Sequence, residues 1–133
     1  KFHLLTKLMG QETQKQLWQY FKDAFYSNEI EKCLKRHEQE TTNLYFYKAT
    51  DNILKFIFLY HNQPVPPFKW CWYFLTKNNL LPKDIILSLK SILLNSKPTE
   101  TKFKLLISVE KQLQQLMIDK GCEKEKVTEH WRF

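Results

Sequence analysis

At 133 residues, with 43% hydrophobic and 15% aromatic side chains, the chain is one domain with enough core to exclude disorder. Two glycines and five prolines leave too little turn material for hairpins or a many-stranded sheet, so helices are expected. A formal net charge of +7 admits anionic partners, and equally a lysine-rich solubilising surface.

The chain does not begin with Met, so residues 1–10 read as a linker from a missing N-terminal domain. From Gly10 to Pro64 there is no other glycine or proline. Leu17, Trp18, Phe21, Ala24 and Phe25 form one face of an amphipathic helix. Ser27 to Glu31 interrupts it, and the capping-box spacing of Asn28 and Glu31 predicts a second helix through His37. Thr41 or Thr42 is expected to cap a third, with Phe46, Ala49, Ile53, Phe56, Ile57 and Tyr60 facing the core. Apolar residues on nearly every side from Ile53 to Tyr60 predict a central, buried helix end.

Pro64, Pro66 and Pro67 then forbid continuation. A short aromatic helix, Phe68 to Lys77, opens on Phe68-Lys69-Trp70-Cys71-Trp72. Leu81-Pro82-Lys83-Asp84 starts another with proline in its first turn and Ile85, Ile86, Leu89, Ile92 and Leu93 inside. After a loop and helix start around Pro98, the last long helix buries Phe103, Leu106, Val109, Leu113, Leu116 and Met117, with Gly121 at its C-terminal cap. Residues 122–133 form a charged tail ending Trp131-Arg132-Phe133. The expected fold is all-α, an antiparallel up-and-down bundle of five to six helices.

Candidate chemistry is sparse. Cys33 and His37 lie four apart, but a metal needs three or four ligands, and Cys71, Cys122, His61 and His130 are scattered. Three cysteines at wide spacing read as reduced thiols of a cytoplasmic protein. No apolar run approaches the ~20 residues of a membrane span. There is no glycine-rich phosphate loop and no nucleophile–base pair, and Arg36-His37 lacks the wider Arg–His spacing of helical ribonucleases. What remains is Lys69-Trp70, held by a proline-stiffened corner. Its lysine could meet a phosphate or carboxylate while aromatic faces stack a ring; alternatively it snorkels past a core tryptophan.

Leu59-Tyr60-His61-Asn62, the proline corner, Lys69-Trp70 and Leu80-Leu81-Pro82 together resemble a known family. It is the all-helical C-terminal domain of polymerase-β-like bacterial nucleotidyltransferases, the group that includes aminoglycoside nucleotidyltransferases. The similarity covers roughly Trp18 to Gly121. In those enzymes a separate α/β domain carries a Gly-Ser motif and magnesium-holding carboxylates, both missing here. The resemblance therefore implies a substrate-binding or accessory domain, with Mg and a nucleoside triphosphate held by a catalytic partner in the same parent chain or a separate protein. It implies Asn62, Lys69 and Trp70 as substrate-binding residues, with Tyr60 and Trp72 walling the site, no catalytic residue in this chain, and room for a homodimer. The alternative is a helical protein-interaction module, antitoxin-like or a regulatory subunit. Nucleic acid ranks last as a partner, because the lysines do not line one helix face.

Overall fold

The computed structural model describes residues 11–94 and 97–128. The expected linker, the terminal Trp131-Arg132-Phe133, His130 and the loop at Ser96 lie outside the described residues. Among the described residues six helices of nine residues or more follow one another: α1 (Gln11–Asp23), α2 (Ser27–Lys35), α3 (Gln39–Tyr60), α4 (Phe68–Lys77), α5 (Lys83–Leu93) and α6 (Thr99–Asp119). A five-residue helix, α7 (Lys124–Thr128), follows α6. The fold is all-α, and no strand occurs among the described residues.

The 22-residue α3 is the hub of the bundle, packing against α1, α2, α4 and α5. Its C-terminal half needs that position: Ile53, Leu54, Phe56, Ile57, Phe58 and Leu59 are all buried, on every side of the helix. α6 closes the other flank against α2, α5 and α7, through Leu106, Val109, Leu113 and Met117.

The helices start and stop by a shared rule. α4, α5 and α6 each begin directly after a proline, Pro67, Pro82 and Pro98, whose carbonyl accepts a bond from the new first turn. Pro82 thus occupies the cap position, one residue before its expected place inside the turn. A proline there gives up an amide that a helix start leaves unpaired anyway.

Four helices end on a residue with left-handed backbone: His37 (φ 57°), Asn62 (φ 55°), Asn79 (φ 52°) and Gly121 (φ 106°). At each, the next amide reaches back over the final turn. Glu38 donates to Cys33, Gln63 to Phe58, Leu80 to Leu75 and Cys122 to Met117, over 2.9 to 3.2 Å. These are Schellman closures. Asparagine tolerates the left-handed region, so a chain with two glycines can still terminate its helices.

Three local expectations are corrected. α2 ends at Lys35, not His37, because His37 is the reversing residue beyond it. α3 starts at Gln39 rather than after Thr41 or Thr42; the Thr42 hydroxyl instead donates to the Glu38 carbonyl at 2.7 Å within the first turn. The start of α2 uses no Asn28 cap. Buried Glu110 of α6 accepts from the amides of Tyr26 and Ser27, both at 3.2 Å, and from the Ser27 hydroxyl at 2.6 Å.

Candidate functional site

The proline corner sets α4 beside α3 so that a groove opens between them and the end of α5. α3 contributes Tyr47, Thr50, Asp51 and Leu54 at helical spacing, with Lys48 at the rim. Across from them stand Phe68, Lys69 and Trp72 of α4, and Leu93 of α5 closes one side. The cavity measures about 570 Å³, within the range of small-molecule sites. Its walls are mainly aromatic and aliphatic, with Lys48, Asp51 and Lys69 as the charged groups.

The walls are held from behind. The Cys71 thiol donates to the Pro66 carbonyl at 3.4 Å, tying the first turn of α4 to the corner that precedes it. Burial pushes this thiol's pKa up, with the Asp51 charge adding to the effect and the Lys55 charge opposing it. Asp51 pairs with Lys55 at 2.9 Å, and the hydrogen bond to Asp51 raises the Lys55 pKa. Lys90 lies 5.8 Å from the Trp72 ring centroid.

The five expected site residues are not brought together. Lys69 and Trp72 line the groove. Trp70 lies on another face of α4, 46% exposed, against Tyr73 and Phe74 with centroids 5.9 and 6.4 Å away. The Lys69 ammonium stands 5.9 Å from the Trp70 centroid, at the outer edge of cation–π range. Asn62 is the left-handed residue that stops α3; it borders a separate cavity of about 500 Å³ with Gln63, Pro64 and Val65. Tyr60 turns toward α6, its hydroxyl donating to the Leu116 carbonyl at 3.2 Å.

Tyr47, Asp51, Leu54, Phe68 and Leu93 went unmarked in the sequence as site residues. Their signal is indirect: Tyr47 and Phe68 are large apolar residues at helix positions outside the core stripes, while Leu93 belongs to the expected inner face of α5. Among the described residues, no three His, Cys, Asp or Glu side chains group as a metal site. Cys33 is buried and His37 sits beyond the end of α2, so the two share no helix face. Among the described residues no helix is long and apolar enough to cross a membrane. Comparison with protein-family models, curated proteins and solved structures finds no match.

Proposed function

We propose that the chain is a helical substrate-binding or accessory unit for nucleotidyl transfer, with the chemistry carried out by a separate catalytic domain that holds Mg and the nucleoside triphosphate. The observation that carries this is Lys69, set by the proline corner in the first turn of α4 at the wall of a 570 Å³ apolar groove. A point charge beside aromatic walls suits a ligand with an anionic group and a flat or apolar body. The likeness of Leu59-Tyr60-His61-Asn62, Lys69-Trp70 and Leu80-Leu81-Pro82 to the nucleotidyltransferase helical domain supports the same function. Within that proposal the ligand contacts are Lys69 and Trp72. Trp70, Tyr60 and Asn62 orient or terminate the helices that carry them.

The test is titration with ATP or an acceptor, followed by tryptophan fluorescence with and without the catalytic partner. Binding that weakens in Lys69→Ala, with a parallel fall in transfer by the assembled enzyme, supports the proposal. A chain that binds neither ligand and leaves the partner's transfer rate unchanged overturns it.

A helical protein-interaction module is favoured by a different observation, the exposure of Trp70 and Tyr73 (46% and 49%) outside the groove. Such paired aromatics are typical anchors of an interface. Loss of a stoichiometric partner in a Trp70→Ala, Tyr73→Ala double variant that still binds the groove ligand would favour this second function.

A further inference from the structure

Lys102 is 6% exposed, although it is a lysine in the first turns of α6. It falls in phase with Leu106, Val109 and Leu113, so its stem enters the core side of the helix. Its ammonium stands 6.0 Å from the Phe46 ring centroid, and among the described residues no carboxylate pairs with it. The carboxylate of this helix turn, Glu100, is exposed and borders a different cavity, together with Glu38. The burial is that of the stem: the ammonium itself keeps contact with solvent, so an incoming anion can meet it. The positive end of the α6 dipole favours an anion in the same place.

The neighbouring polar groups are spent in one direction. The Thr99 hydroxyl donates to Gln39 Oε1 at 3.4 Å, and Gln39 Nε2 donates to Asn43 Oδ1 at 3.1 Å. Asn43 is left with its Nδ2 hydrogens to offer. Lys102 and Asn43 line a small cavity of about 10 Å³, room for about one oxygen-sized group. Tyr47 and Leu93 are walls of this cavity and of the 570 Å³ groove alike.

We propose that this inner end of the groove is an anion subsite, in which Lys102 Nζ and Asn43 Nδ2 take an oxygen of a carboxylate or phosphate whose apolar body lies in the groove. The subsite presupposes that the groove binds the ligand, as proposed above. It narrows the ligand class to aromatic or aliphatic acids and phosphates, held at one end.

Two fluorescent probes separate the two claims: anilinonaphthalene sulfonate, and phenylnaphthylamine, which has the same rings without the anion. The sulfonate is expected to bind about tenfold or more tightly than the neutral probe, the worth of a charge-assisted contact. Lys102→Met should remove that preference and leave the neutral probe's affinity unchanged. Asn43→Asp should remove it from the other side of the subsite, with helicity and unfolding midpoint showing that each variant folds. Equal binding of the two probes by the native chain overturns the subsite, as does a preference that survives both variants. A preference lost only in Lys69→Ala places the anion at the other wall and also overturns it, while the groove remains a ligand site. If the native chain does not bind the neutral probe, the groove fails as a site and the subsite fails with it.

Discussion

The ammonium of Lys120 donates to the backbone carbonyl of Tyr60 at 2.6 Å and lies 4.1 Å from the centroid of the same residue's ring. One lysine at the end of α6 thereby caps the C-terminus of α3, where the helix dipole is negative, and fixes the tyrosine over it. This pairing removes Tyr60 from the groove. Lys120→Met keeps the stem and deletes both contacts. It should lower stability by about 1–2 kcal/mol, measured by chemical denaturation, and Tyr60→Phe should cost less.

Glu110 gives the chain a defined pH response. Burial pushes its carboxyl from the ordinary 4.5 up to about 7, outweighing the three donors at the start of α2 that pull the other way. The folded state therefore holds a proton that the unfolded state releases between 4.5 and about 7. The stability from this group is full below 4.5 and is lost as the pH rises through about 7. Glu110→Gln should gain on the native chain across that window, by on the order of 3 kcal/mol at most. A urea midpoint whose pH dependence is the same in both proteins would refute the assignment.

The left-handed helix ends make a third prediction. Asn62→Gly and Asn79→Gly should be neutral or slightly stabilising, and His37→Gly should stabilise by up to about 1 kcal/mol. Valine at any of the three should cost about 1–2 kcal/mol, since its branched Cβ crowds the backbone there. Thermal midpoints of the six variants decide it.

A ligand seated in the groove should report through one indole. Trp72 lines the groove and Trp70 does not. The fluorescence change on ligand binding should disappear in Trp72→Phe and persist in Trp70→Phe. The reverse pattern would move the site to the outer face of α4.

Much of the fold could be read from periodicity. Leu17, Phe21, Ala24, Ile53 and Phe56 recur at helical spacing and are all fully buried. The prolines marked three helix starts correctly to within a residue. Helix ends were harder, because asparagine or histidine in the left-handed region gives no sign in the sequence until the reversing hydrogen bonds are seen. The start of α2 was misread for a related reason: its capping group comes from Glu110, and local spacing cannot register a partner on another helix. The corner and Lys69 stood out through composition. The groove's far wall did not, because Tyr47, Asp51 and Leu93 meet only when α3 and α5 pack. Lys102 and Glu110 did leave a trace, as charged residues in phase with the apolar stripe of α6.

The carboxylate that closes α2 lies 83 residues downstream of Ser27. A nine-residue helix is too short to hold itself together in water, and its first turn has no other side-chain cap. During synthesis the first turn of α2 therefore lacks this cap until α6 has emerged, although α3, on which α2 also packs, is already present. The cap is a long-range contact, of the kind whose closure costs the most chain entropy. A chain halted before α6 would leave the first-turn amides of α2 without their acceptor, an opening for proteolysis between α1 and α3.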